Sequence, residues 1–206
     1  MKTLYFVRHG ETDWNAKHLI MGQRDLPLNA RGREQAALTA KLLADIPFTT
    51  CYSSDLGRAR ETAEILLANR NLAISADPRL REIKYGVFEG LTAKEWATAF
   101  PQDYAHYQAN TLRNAPTGAE SRLQLMARID DFLQDTSSNQ ANDETILVVT
   151  HGGTMAALFN LLLVKEQGGE PAYFHRLFRF DNCGVSVLRY EHDHWRVLIA
   201  NCGSHL

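Results

Sequence analysis

The sequence predicts an α/β fold: a three-layer α/β/α sandwich with a mostly parallel central sheet and an inserted lid. Three observations point there. Short apolar runs of strand length alternate with longer segments of helical spacing, the pattern of a layered parallel sheet. Two of those runs end alike, in Val7-Arg8-His9-Gly10 and Val149-Thr150-His151-Gly152. The segment 84–118 breaks the alternation and carries Trp96, Phe100, Tyr104 and Tyr107 between polar residues, with Pro101 and Pro116 as punctuation.

Taken in order, Leu4 to Val7 is a compact apolar run that stops abruptly at Arg8, as a buried strand entering a loop does. Asn29 is placed to cap a helix over 31–43, where Ala36, Ala40 and Leu43 recur at helical spacing. A second short strand is expected over 49–53 and a helix over 58–67, with Ala59, Ala63 and Leu66 on one stripe. The next helix is expected over 119–133, turning Leu125, Ile129 and Phe132 inward. Ile146-Leu147-Val148-Val149 reads as a strand buried on both faces, followed by Gly152-Gly153 and a helix reaching Leu163. Later strands are expected over 178–180, 185–188 and 197–199. No repeat or linker interrupts the chain, so one domain over 1–206, with the lid at about 84–118, is the expected organisation.

Composition narrows the function classes. Hydrophobic residues at 45% and charged ones at 22% are ordinary globular usage. A formal charge of -2, a pI of about 6.4 and the lack of a basic run argue against nucleic acid or acidic lipid as partner. The longest apolar stretch, 155–164, is broken by Asn160 and is too short to span a membrane. The amino-terminal apolar run is too short for a signal peptide. Cys51, Cys183 and Cys202 have no metal-ligand spacing, which fits a reducing cytoplasm. Cys51 and Arg58 are one residue too far apart for a cysteine phosphatase, and neither a Gly-x-x-x-x-Gly-Lys loop nor clustered aspartates for two metals are present.

In open parallel sheets the working residues gather beyond the carboxyl ends of the strands. Neighbouring strands would bring Arg8, His9, Arg58 and His151 to one edge, making a cationic cup in a chain without overall positive charge. Such a cup suits a phosphoryl group. Arginine presents a planar fork to phosphate oxygens, and histidine serves near neutrality as nucleophile, acid or donor. Glu82, in Leu80-Arg81-Glu82-Ile83, has apolar neighbours that suit a carboxyl to carrying a proton for the leaving alkoxide; the alternative is an ion pair with Arg79 or Arg81. Asn15 either caps a turn or contacts the phosphate. Glu120 sits where a helix dipole alone would explain a negative charge, with substrate contact as the other reading. His106, His175, His192, His194 and His205 lie in polar surroundings without metal spacing, so solvent exposure is expected for them.

These blocks resemble a known family. Arg8-His9-Gly10-Glu11-Thr12 with Trp14-Asn15, Gly22, Asp25-Leu26-Pro27-Leu28, the run from Ser53 to Ala63, Glu82 with Gly86 and Glu89-Gly90, and Thr150-His151-Gly152-Gly153 occur in the order found in the histidine phosphatase (phosphoglycerate mutase-like) superfamily. The resemblance implies that His9 is the nucleophile and forms a phosphohistidine, and that Arg8, Arg58 and His151 bind the phosphoryl oxygens. It implies that Glu82 protonates the leaving group and then activates water, and that Asn15 donates to the phosphate. Met21, Gly22 and Gly152 are expected beside the substrate. No metal or other cofactor is implied, and the partner implied is a small-molecule phosphomonoester. A homodimer stays open.

The same superfamily holds cofactor-dependent phosphoglycerate mutases. Their paired-arginine, proline-rich segment in the insertion is reduced here to Arg113 and Pro116, and their carboxyl-terminal tail over the site is not matched. Met21 stands where mutases usually place a threonine and many phosphatases a glutamine. The chain is similar to short bacterial phosphatases, among them α-ribazole phosphatases and broad phosphatases named as probable mutases. Hydrolysis of α-ribazole 5′-phosphate or of a range of phosphomonoesters is therefore expected. A mutase, or a non-catalytic phosphate-binding module of the same fold, is the alternative.

Overall fold

The two apolar runs that end in histidine lie side by side. A computed structural model describes residues 1–138, 143–167, 172 and 177–206, and in it β1 (Lys2–Arg8) runs parallel to β4 (Glu144–Thr150), with Val7 level with Val149. β2 (Thr50–Ser53) joins the other side of β4, Ser53 level with Val149, and β3 (Ile74–Ala76) pairs parallel to β2. β5 (Val185–Glu191) and β6 (His194–Cys202) complete the sheet by antiparallel pairing. The order is β3-β2-β4-β1-β5-β6. This register makes the loops after β1, β2 and β4 leave the sheet at one level on one edge.

Burial on both faces explains the near-continuous apolar sequence of the central strands. Leu4, Phe6, Ile146 and Val148 turn to one face, against Leu125, Ile129 and Phe132 of α6 (Arg122–Ser138) and Met155 and Leu158 of α7 (Gly152–Gln167). Val7, Leu147 and Val149 turn to the other, against Ala59, Ala63 and Leu66 of α3 (Gly57–Leu66). Helices on both faces give the three layers that the alternation predicts. Each fully buried leucine or isoleucine contributes about 1.5–3 kcal/mol to this core.

Caps set the helix starts. Asn29 Oδ1 accepts from Gly32 N at 2.8 Å and starts α2 (Ala30–Leu42) where expected. The helix expected at 119 begins instead at Arg122. Ser121 Oγ accepts from Gln124 N at 3.2 Å while Gln124 Oε1 accepts from Ser121 N at 2.8 Å, a reciprocal cap that leaves Glu120 outside the helix. Residues 178–180 do not form the expected strand. Phe178 and Phe180 pack on Phe159 at 5.3 and 4.9 Å, and the Phe180 carbonyl accepts from a side chain, Arg8 Nη1, rather than from a strand. β3 has three residues, none of them buried, and no apolar signal announces it.

The segment 84–118 holds a 3₁₀ turn (Gly86–Phe88) and two helices, α4 (Trp96–Ala99) and α5 (Pro101–Ala109). Its aromatic residues make a small core of their own: Phe88 stacks on Trp96 at 4.5 Å, and both meet Tyr107 edge-on. Val87 N donates to Thr117 O, and Glu120 N donates to Lys84 O, tying the two ends of the segment together. No described helix is long and apolar enough to cross a membrane. Cys51 and Cys183 are buried free thiols, and Cys202 is half-buried. His106, His192 and His194 are exposed, whereas His205 is half-buried with Nε2 2.8 Å from Thr39 Oγ1; His175 lies outside the described residues.

Candidate active site

The level strand ends bring the two histidines together. The ring centroids of His9 and His151 are 5.0 Å apart, and the side chains are 3% and 0% exposed. His9 follows β1, where its backbone N donates to Thr150 O of β4 at 2.9 Å. Its ring has one chemically consistent tautomer. Nδ1 lies 2.7 Å from the Gly10 carbonyl, which can only accept, and Arg58 Nε donates to Nε2 at 3.2 Å. The proton therefore sits on Nδ1, and the lone pair of Nε2 points at the guanidinium. Burial, and then the charges of Arg58 and Arg8, hold the His9 pKa well below its ordinary value, so the ring is neutral.

Arg58, at the start of α3, is fully buried. Its Nη1 donates to Arg24 O and its Nη2 to Gly22 O, both at 2.8 Å, so three contacts aim the fork. Burial draws its pKa down to about 10, against the opposing charges of Glu82 and Asp25. Gly22 adopts φ +54, and a Cβ there would lie 2.1 Å from Glu89 Oε1, so glycine is needed to present that carbonyl. Arg8 spends Nη1 on Phe180 O at 2.6 Å and keeps a buried Nε without a partner, beside Gly152. Burial lowers its pKa also, with Glu82 and Asp181 opposing.

His151 caps the start of α7, where Met155 N donates to its carbonyl. Its Nε2 lies 2.8 Å from Ser54 Oγ, and its Nδ1 is buried without a partner. Burial lowers its pKa well below the ordinary value, with the charge of Arg58 adding to the effect. The ring stands behind His9 and does not itself line the cavity described below.

Glu82 faces the same place, but in surroundings unlike the apolar ones expected. Leu80 and Ile83 turn into the core, while the Glu82 carboxylate accepts from Ile83 N at 2.8 Å and from Gly153 N, at the start of α7, at 2.9 Å. A Cβ on Gly153 would lie 2.4 Å from Glu82 Oε1, so this approach also requires glycine. Arg79 pairs with Asp77 and Asp135, and Arg81 with Asp55, which removes the ion-pair alternative for Glu82.

A cavity of about 280 Å³ is bordered by Arg8, His9, Asn15, Arg58, Glu82 and Gly152. Its remaining walls include Leu19, Ile20, Met21, Tyr85, Phe178 and Phe180, with Gly22 and Gly153. Asn15 is both cap and wall. Its Oδ1 accepts from Thr12 N at 3.2 Å in a capping box, and its side chain borders the cavity. Glu120 is elsewhere: both carboxylate oxygens engage Arg128, and it does not line the cavity. A larger cavity of about 830 Å³ adjoins this one and shares Arg8 and Asn15, but it lacks His9, Arg58 and Glu82. No group of three or more His, Cys, Asp or Glu able to hold a metal ion occurs among the described residues.

Four supporting residues escaped the sequence reading: Ser54 against His151, Asn182 donating to His9 O at 2.9 Å, Gln23 donating to Glu82 O at 3.0 Å, and Arg128. Ser54 alone had a signal, its place in the block before Arg58.

The chain matches the histidine phosphatase superfamily (branch 1) over residues 4–203. A curated relative named probable phosphoglycerate mutase GpmB, from Escherichia fergusonii, is 36% identical over 202 residues, covering 95% of this chain and 88% of that one. Among solved structures, the mycobacterial glucosyl-3-phosphoglycerate phosphatase complexed with VO3 superposes with a TM-score of 0.85 at 30% identity, over 98% of this chain and 100% of that one. The α-ribazole phosphatase of Shigella flexneri superposes with a TM-score of 0.84 at 28% identity, over 97% and 96%. Level strand ends, a buried histidine pair and a match along nearly the whole length agree: the chain belongs to the histidine phosphatase superfamily, branch 1.

Proposed function

We propose that the chain is a phosphomonoesterase that moves a phosphoryl group from a small alcohol to water through a phosphohistidine on His9. The observation that carries this reading is the neutral, Nδ1-protonated His9 ring, with Nε2 beside Arg58 at the cavity wall. In the first half-reaction Arg58 Nε gives up its hydrogen bond to Nε2 for a phosphoryl oxygen, the freed lone pair forms the N–P bond as the ester P–O bond breaks, and the departing alkoxide takes a proton from the protonated Glu82. In the second, a water gives its proton to Glu82 and attacks phosphorus, the N–P bond breaks, and phosphate leaves.

Charge on the three equatorial oxygens is met by Arg58 and by the unpaired Nε of Arg8, while His151, expected from the sequence to share this task, backs the His9 ring from outside the cavity. Leu56 N already donates to Ser54 Oγ, so the Ser54 hydroxyl proton is available to His151 Nε2, which places the His151 ring proton on Nδ1. Asn15 contributes its NH2, because its oxygen serves the cap. None of these steps calls on a metal. The segment 84–118 acts as the lid and brings Tyr85 to the cavity. The reaction belongs to a cytoplasmic enzyme acting on a diffusible ester.

The name of the GpmB relative favours a second reading, a phosphoglycerate mutase. A phosphoglycerate carries a carboxylate besides its phosphate. Among the described residues lining the cavity the only cations are Arg8 and Arg58, and both serve the phosphoryl group. The walls left for the alcohol are mainly Leu19, Ile20, Met21, Tyr85, Phe178 and Phe180, which favour an uncharged alcohol. Presence of both histidines and both arginines also ranks hydrolysis above a non-catalytic phosphate-binding module. The test is hydrolysis of p-nitrophenyl phosphate in EDTA, run beside 3-phosphoglycerate with 2,3-bisphosphoglycerate. Turnover of the first with slow isomerisation of the second is expected; rapid isomerisation outrunning phosphate release selects the mutase, and inertness across acidic and neutral pH selects the binding module. A panel of phosphomonoesters including α-ribazole 5′-phosphate then ranks substrates.

A further inference from the structure

Glu82 lies in a stretch with almost no regular structure of its own: one 3₁₀ turn (Pro78–Leu80) precedes it and another begins at Gly86. Such a loop has no ladder to fix its course, yet a proton donor works only within hydrogen-bond reach of one oxygen. The carbonyls around it are held one after another from outside. Thr150 Oγ1 donates to Leu80 O at 2.7 Å and Thr154 Oγ1 to Arg81 O at 2.8 Å, from the β4–α7 junction. Gln23 Nε2 donates to Glu82 O at 3.0 Å, from the loop that presents Gly22 to Arg58.

Arg128 of α6 joins these contacts. Its Nη2 donates to Glu82 O at 3.1 Å and its Nη1 to Arg79 O. Its far side is gripped by Glu120, which accepts from Nε at 3.1 Å and from Nη2 at 2.7 Å. Glu120 Oε1 also accepts from Lys84 N at 3.0 Å, and Glu120 N donates to Lys84 O. Arg128 and Glu120 thus hold the loop before, at and after Glu82. Both side chains are 18% exposed, so the pair is screened little by solvent, and a bidentate arginine–carboxylate pair is directional as well as strong.

We infer that Arg128 and Glu120 are positioning residues for the proton-transfer step, a rigid clamp that sets the distance between the Glu82 carboxyl and the leaving oxygen. Neither touches the cavity, so neither is a catalytic or substrate-binding residue. The assignment rests on the reading of Glu82 as the acid. A displacement of about 1 Å at a reacting group can cost on the order of a hundredfold. In the first half-reaction, loss of the clamp therefore acts on esters whose leaving group needs a proton and spares those whose leaving group does not.

The experiment compares kcat/KM, which reads the steps up to the phosphohistidine and not the water step common to all esters, on p-nitrophenyl phosphate, whose anion leaves unaided, and on an alkyl phosphate of similar size. Glu82→Gln sets the reference. Arg128→Met should slow the alkyl ester by roughly ten- to a hundredfold and p-nitrophenyl phosphate by about twofold or less. Arg128→Lys should recover part of the loss, since a single ammonium reaches fewer of these acceptors. Glu120→Gln, which keeps the shape and removes the charge, should move the ratio the same way by a smaller factor and covers the case in which Arg128→Met does not fold. In the double variant Arg128→Met/Glu82→Gln, the ratio should equal that of Glu82→Gln alone. Equal losses on both esters in Arg128→Met and Glu120→Gln, with Glu82→Gln still selective, overturn the clamp and leave the acid in place. A Glu82→Gln variant without selectivity overturns the acid itself, and the clamp with it.

Discussion

His9 is buried beside two guanidinium groups, and that setting holds its ring in the neutral form that the proposed nucleophile needs. Burial does most of this and the charges of Arg58 and Arg8 add to it, because each raises the cost of protonating the ring. His9→Ala is accordingly expected to abolish both turnover and transfer of label from substrate to protein, by roughly a thousandfold or more; near-normal turnover would refute the role. Arg58→Lys should lower kcat/KM by about a hundred- to a thousandfold, the usual cost of losing a transition-state donor. A lysine at 58 cannot reach His9 Nε2, Gly22 O and Arg24 O at once, so steady-state kinetics with p-nitrophenyl phosphate reads the loss directly. At this scale the meeting of the two histidines and two arginines was legible. Arg8, His9, Arg58 and His151 stand out because strand ends concentrate function and because their neighbours repeat a pattern. Gln23, Asn182 and Arg128 left no trace, since each acts by a contact between segments far apart in the chain, and no local spacing encodes such a contact.

Among the elements, α7 does more than cover the sheet. Its first turn offers the Gly153 N–H to Glu82, and the missing side chain at 153 lets the carboxylate approach. Gly153→Ala should separate activity from stability. Alanine favours the helix by up to about 1 kcal/mol, so the melting temperature should hold or rise, while the crowded Glu82 carboxylate is displaced. A roughly tenfold or greater loss on alkyl phosphates with an unchanged melting temperature is expected; a parallel fall in both would assign the glycine to folding alone. The elements with strong periodicity or caps, β1, β4, α2, α3 and α7, fell within a few residues of where the sequence placed them. β3 was missed because three residues without a buried side chain carry no period. The strand expected at 178–180 was misplaced because its aromatic alternation serves a wall of the cavity, packing on Phe159, instead of a ladder. Glu120 was read as the start of a helix that in fact begins after the Ser121–Gln124 cap.

For the whole molecule, two buried neutral histidines make stability depend on pH. In the unfolded chain each protonates near pH 6.5, whereas in the folded chain both pKa values lie well below that. Below about pH 6.5 the unfolded state binds the extra protons, so stability falls as pH falls, by about 1.4 kcal/mol per histidine for each pH unit until the folded-state pKa is reached. Urea midpoints measured from pH 7.5 to 5 should decline, and His9→Asn should remove about one proton from that dependence; a flat profile would mean the imidazoles are not kept neutral. The central pairing has another consequence. Lys2 sits beside Glu144 and Arg8 beside Thr150, so the first strand waits for the fourth. During synthesis His9 leaves the ribosome more than a hundred residues ahead of Thr150 and His151, so the chemistry proposed for it waits for β4. Such distant pairing slows assembly, and a copy cut short before β4 is expected to lack the proposed activity.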